Sequence, residues 1–206
     1  MKLEQPRIPE DLTEYFELPD EDEFELCLFS EIDLSHETLR SREFQQCIFR
    51  KCTLTDADFY RSGFVDCVFD HCDLSRCSME NAVCQRVRFD TCRLTGADFI
   101  KTILRSTTLA QCKADYLNLS EAKMEHVAFT SCNMTEAAIE NAALKAVSFD
   151  ECEMTRLNVF HTSLKGLDLR TCTLEGLMVN LPDLRGLIVT PLQAADLAKL
   201  LGLVIK

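Results

Sequence analysis

The feature that most constrains this chain is a period of five. From Cys47 to Asn81 the sequence divides without remainder into CIFRK, CTLTD, ADFYR, SGFVD, CVFDH, CDLSR and CSMEN. Each unit has a small residue first and a large apolar residue third. The large residue recurs at every fifth position from Phe24 through Phe44, Phe64 and Leu104 to Val189, and only Cys84 and Ala114 are small for the place. A helix repeats about every 3.6 residues and a strand about every 2, so neither accounts for the pattern. It is an internal repeat, and the fold has to be read from it.

A second period, of twenty, sits on the first. Cysteine occupies positions 52, 72, 92, 112, 132, 152 and 172. A parallel column begins Cys27, Cys47, Cys67 and continues Val87, Thr107, Val127, Val147, Leu167. Four fives therefore make one turn of a square coil, climbing by one strand spacing of roughly 4.8 Å per turn. Large and small side chains point inward and the remainder face water.

This pattern is similar to that of the pentapeptide-repeat family over most of the chain. The resemblance implies an all-β solenoid, a right-handed quadrilateral β-helix of pentapeptide repeats with a short C-terminal helix. Within the family the chain looks like the Qnr-type fluoroquinolone-resistance proteins, through SLKGLDL (163–169), GLIVTP (186–191) and LGLVIK (201–206). The expected organisation is an N-terminal extension and cap over 1–22, the repeat β-helix over 23–189, and a C-terminal helix and tail over 190–206.

The extension carries prolines at 6, 9 and 19 and the acidic run Glu17, Asp20, Glu21, Asp22, Glu23, Glu25. A solenoid end exposes unpaired backbone and needs a cap. Ile8, Leu12, Tyr15, Phe16 and Leu18 are expected to lie over it. The first coil is expected to be irregular, with Ile32, Glu37 and Arg42 at small positions. At CKADYLNLS, either small Ala114 and large Leu117 exchange volume or a local bulge forms. After Val189, Thr190 is placed to N-cap a helix and Pro191 suits its first turn. Leu192, Ala195, Leu197, Leu200 and Leu201 give that helix an apolar side, which Gly202 terminates.

Twelve cysteines in a short secreted chain would suggest disulfides. Here eleven fall at the small inward position and Cys84 at the large one, with no C-x-x-C spacing. They read as reduced core thiols, with no metal site and no cofactor. No catalytic residues are expected. His71, His126 and His161 fall outward on different faces, and six glycines form no phosphate-cradling loop. The N-terminus has no apolar leader and no run approaches a membrane span, so a cytoplasmic protein is expected.

Net charge is −12, and it is uneven. Residues 1–58 hold 16 acids and 6 bases, whereas 59–206 hold 18 and 16. Asp56, Asp58, Asp66, Asp70 and Asp73 extend the negative end along the rod. Direct nucleic-acid binding needs a basic footprint and is disfavoured. About 8 coils make a rod of roughly 40 Å, and two end to end roughly 80 Å. Such a rod could dock in a basic groove built for duplex DNA, or its charge could serve only solubility.

The resemblance implies a concrete partner. Qnr-type proteins bind the type II topoisomerases, DNA gyrase and topoisomerase IV, and protect them from quinolones, while a related branch inhibits gyrase as a DNA mimic. The implied role is non-enzymatic, with the five aspartates as partner-binding candidates. The alternative is a repeat scaffold for an unrelated protein. The resemblance also implies an end-to-end homodimer through Leu197, Leu200, Leu201, Leu203, Val204 and Ile205; a monomer's cap is the other reading of that tail. Many Qnr relatives carry projecting loops, and the unbroken phase here departs from them.

Overall fold

In the computed structural model, which describes residues 3–203, the chain winds as a coil of parallel strands. Pairing throughout the body joins residue i to residue i+20. Phe44 lies between Phe24 and Phe64, Phe49 between Phe29 and Phe69, Thr53 between Asp33 and Asp73, and Asp58 between Thr38 and Ser78. These four sets define four faces, numbered in that order. Strands such as Glu43–Gln45 build the first face and strands such as Ile48–Arg50 the second. Further along, Ile103–Ala110, Lys123–Thr130 and Ala143–Asp150 run through both. The third and fourth faces are ladders of single bridges.

The corners explain the period of five. From Leu26 to His161 every fifth residue has a positive φ, between +48° at Ser106 and +65° at Gly96. That left-handed conformation costs a non-glycine residue roughly 1–2 kcal/mol. Most corner amides are compensated by a carbonyl one level on: Leu26 N–H meets Gln45 at 3.1 Å, Asp56 meets Ser75 at 3.0 Å and Asn81 meets Ile100 at 3.0 Å. His36, His71, His126 and His161 all occupy corners, one on each of the four edges of the rod. They cannot converge.

Inside, the large side chains stack at the strand spacing. Phe24, Phe44 and Phe64 are separated by 5.0 and 5.1 Å, and Phe29, Phe49, Phe69 and Phe89 by 4.9, 4.7 and 4.8 Å. The two columns meet edge to face, as at Phe44–Phe49 (5.4 Å, 68°). Such pairs contribute about 0.5–1.5 kcal/mol each beyond burial. All twelve cysteines are buried and free. The small inward position has a polar duty as well as a size. Cys52 and Cys72 Sγ each donate to a carbonyl 23 residues back, at 3.3 Å, just as Ser62 and Thr102 hydroxyls do at 2.7 and 2.8 Å. Burial pushes the Cys84 thiol up to about 12, so it stays protonated. Ala114 and Leu117 are both fully buried with regular bridges on either side, so volume is exchanged without a bulge.

The N-terminal extension departs from a simple cap. Strand β1, Thr13–Tyr15, pairs beneath Cys27–Phe29, and the Tyr15 ring lies tilted 5.8 Å from Phe29. Upstream, the chain climbs the outside of the rod. Arg7 N–H donates to Asp66 Oδ1 at 3.0 Å, Gln46 Nε2 donates to Arg7 O at 2.8 Å, and Pro6 and Ile8 lie by Ile48 and Val68. Of the residues expected over the end, Tyr15 and Leu18 pack on the core, Ile8 lies along the second face, and Phe16 is 77% exposed. The reason is competition: β1 satisfies ladder groups that a hydrophobic lid would leave unpaired.

At the other end helix α1, Pro191–Ala198, begins with a reciprocal capping box between Thr190 and Gln193. Gln193 Nε2 also donates to Leu169 O at 2.9 Å and Cys172 O at 2.7 Å. One level earlier the carbonyl of Cys152 receives the backbone N–H of Thr173. The glutamine side chain thus supplies what another rung would have supplied. Gly202 ends the helical segment at φ +75°. Among the described residues no helix is long and apolar enough to cross a membrane.

Candidate partner-binding surface

The five aspartates do not form one row. Asp56 sits on the corner between the third and fourth faces, Asp58 on the fourth, Asp66 on the corner between the first and second, Asp70 on the second and Asp73 on the third. Each is engaged. Arg76 grips Asp56 through two bonds of 2.8 and 2.6 Å and holds its carboxyl below the usual range. Arg40 reaches Asp58 at 2.6 Å. Asp70 meets His71 at 2.7 Å and Arg50 at 3.7 Å. Asp73 accepts from the Ser75 amide and hydroxyl and lies 3.8 Å from Arg93. Asp56 binds Arg76, and the charge of Asp73 also acts on that guanidinium, which together raise its pKa.

Asp66 is not a surface residue. It is 6% exposed and takes a bidentate bond from Arg86 at 2.6 and 2.7 Å together with the Arg7 amide. Burial alone would raise its pKa, but the Arg86 and Arg7 hydrogen bonds outweigh that and hold it below the ordinary aspartate value. It anchors the N-terminal strap. The partners overlooked in reading the sequence stand one period away: Arg76, Arg86 and Arg93 are each twenty residues from an aspartate, and so is Arg50.

Among the described residues, carboxylates outside ion pairs gather instead at the N-terminal end, including Glu17, Glu21, Glu23, Glu25, Asp33 and Glu37. The first face of the distal half carries the opposite sign: Arg105, Lys123, Lys165 and Arg185 are exposed there. The rod is therefore polar along its length.

The residues expected to pair two copies divide. Leu197 is half-buried against the core and serves the cap. Leu200, Leu201 and Leu203 are exposed, as is Leu192. Val204 and Ile205 lie outside the described residues. Among the described residues no group of three or more histidine, cysteine, aspartate or glutamate side chains could hold a metal ion.

A family model described as a pentapeptide repeat region matches residues 42–119 and 82–159. Among solved structures the chain is similar to a trypsin-treated variant of QnrB1, a plasmid-mediated fluoroquinolone resistance protein, at 21% identity and a TM-score of 0.51. That match covers 95% of this chain and 96% of the other. Full-length QnrB1 matches at 20% identity and 0.31, over 88% and 90% of the two chains. HetL, a pentapeptide repeat protein involved in heterocyst differentiation regulation in the cyanobacterium Nostoc, matches at 15% and 0.43, over 82% and 90%. No curated protein sequence matches the chain. The first of these likenesses, together with the i to i+20 registers, fixes the fold as a parallel β-solenoid with a short C-terminal helix.

Proposed function

The chain belongs to the pentapeptide-repeat family, and from that premise we propose that it is a non-enzymatic binding rod that engages DNA gyrase and topoisomerase IV and protects them from fluoroquinolones in the cytoplasm. One observation carries the reading. Of the segments that resemble the Qnr type, 163–169 and 186–191 form the last coil and lead into the helix that caps it, with 201–206 following, in a rod matching a fluoroquinolone resistance protein over nearly all of both chains.

Shape and potential supply the mechanism. Seven levels on the first face, from Glu23 to Ala143, each rise about 4.8 Å, giving a stiff body of roughly 30–40 Å. The negative end and the partly screened aspartates Asp56, Asp58, Asp70 and Asp73 offer a surface complementary to a basic DNA groove, and complementarity of this kind chiefly raises association rate. Asp66 contributes by holding the strap. Pairing two rods through Leu200, Leu201 and Leu203 doubles the length.

The corner turns recur every fifth residue with no inserted loop. That regularity favours a second reading, a gyrase inhibitor or a scaffold for another protein. A supercoiling assay separates them. Added to quinolone-poisoned gyrase, the protein is expected to restore supercoiling. Loss of supercoiling without drug indicates an inhibitor, and no effect in either condition refutes both topoisomerase readings.

A further inference from the structure

The N-terminal end of the rod is an incomplete coil. A full turn takes thirteen residues to pass from the second face to the first face of the next level, residues 30–42 between Phe29 and Glu43. The entering chain takes seven, residues 16–22 between Tyr15 and Glu23. It cuts the corner and leaves the third and fourth faces of the first coil uncovered. A slot of about 410 Å³ separates the crossing, 16–20, from the edge formed by 31–34 and 37–39.

That edge is unpaired. One level up, the amides of Thr53 and Asp58 donate to Ile32 and Glu37, each at 2.9 Å. Among the described residues, the amides of Asp33 and Thr38 and the carbonyls of Asp33, Ser35, Thr38 and Arg40 meet no backbone partner. Arg42 also lines the slot; its Nη1 is buried and makes no hydrogen bond, with the Asp22 carboxylate 3.9 Å away, beyond hydrogen-bonding reach. An unfilled β-edge, a cavity beside it and a guanidinium nitrogen that makes no hydrogen bond all ask for the same thing, a further rung of backbone.

We propose that this slot takes a basic segment of a partner protein, about six residues long, added as the missing rung with one turn between its two strand-like halves. Its backbone pairs with Asp33 and Thr38 and gives Arg42 a carbonyl acceptor. Like the rung above it, the segment turns once, beside the His36 corner, so its inward side chains rest on Leu34 and Leu39 while outward ones reach Glu17, Asp20, Asp33 and Glu37 at the rim. Charge selects this occupant. Residues 1–58 carry ten more acids than bases, so a second copy presenting the same end brings like charge to like. The inference does not rest on the topoisomerase reading.

The test uses the full chain and a fluorescein-labelled peptide of three lysine–valine repeats, with three glutamate–valine repeats as control. Fluorescence anisotropy should show saturable binding of the lysine peptide only. Amide exchange by NMR should slow about tenfold or more at Asp33 and Thr38 on saturation. Reversing two exposed carboxylates outside ion pairs, Glu17→Lys with Glu37→Lys, should weaken binding about tenfold or more with the circular dichroism unchanged. Absence of binding, equal binding of the glutamate peptide, or binding without protection of those two amides overturns the proposal. So does concentration-dependent protection in the free protein, which assigns the edge to self-association.

Discussion

The two ends of the rod face the same problem and solve it differently. Each must dispose of backbone groups that the next coil would have paired. The C-terminal end abandons strand geometry: Thr190 and Pro191 start a helix, and one side chain, Gln193, reaches back to the carbonyls of Leu169 and Cys172. The N-terminal end keeps strand geometry on one face through β1 and then runs short, leaving Asp33 and Thr38 open. A side-chain cap closes an end, whereas a truncated rung leaves a template. The ends differ in surface chemistry as well, since the open end is crowded with carboxylates and the closed one displays leucines.

Substitutions can separate what each end contributes from what the stacked core contributes. The largest effect is expected from Phe49→Ala, which breaks the aromatic column between Phe29 and Phe69; it should cost about 3–5 kcal/mol in urea denaturation. A loss below about 1 kcal/mol would mean the columns do not carry the fold. Next comes Asp66→Asn, expected to cost about 3 kcal/mol because Arg86 stays buried without its partner. Trypsin should then cut after Arg7 faster than in the parent protein. The folded pKa of Asp66 is depressed, so its contribution is complete above the unfolded value near pH 4 and is lost as pH falls through the lower folded value. Acid titration should therefore weaken the parent protein more than the asparagine variant.

Gln193→Ala should cost about 2 kcal/mol, since it removes two bonds to the last coil and half of the capping box. Hydrogen exchange should rise over 163–178 and stay unchanged over 23–45. Uniform loss of protection would show that the ends are not independent. The smallest effect on stability belongs to Leu201→Asp, below about 0.5 kcal/mol for an exposed position. Light scattering should nonetheless give half the parent mass if the leucines join two copies. An unchanged mass makes them only the surface of a cap.

What was legible in the sequence follows from the same contrast. In the body each residue's environment is set by position within five and within twenty, so most of Phe24 to Val179 could be assigned inward or outward from spacing alone, although Glu37 is exposed at a small position and Asp66 and Val68 are buried at outward ones. The same period, applied to charge, pairs Asp56 with Arg76 and Asp66 with Arg86, and it was the key to the aspartates. Read without it, they looked like a free acidic row. The ends lack a period, and their paths depend on which distant groups remain unpaired. Two local signs did mark them. Leu28, Ile48 and Val68 stand outward in one column, marking a strip that the strap covers at Ile48 and Val68. Thr190 followed by Gln193 is a capping box in sequence. The truncation at 16–22 had no such sign, because a missing rung shows only as pairing that does not occur.

The central claim is that this rod acts by occupying a DNA groove on a type II topoisomerase. Sedimentation of the fluorescently labelled protein with purified gyrase tests it directly. The account predicts a complex at micromolar concentration that added duplex DNA displaces and that weakens as salt is raised. A labelled protein that sediments alone at 10 times that concentration, or a complex indifferent to DNA, would contradict it.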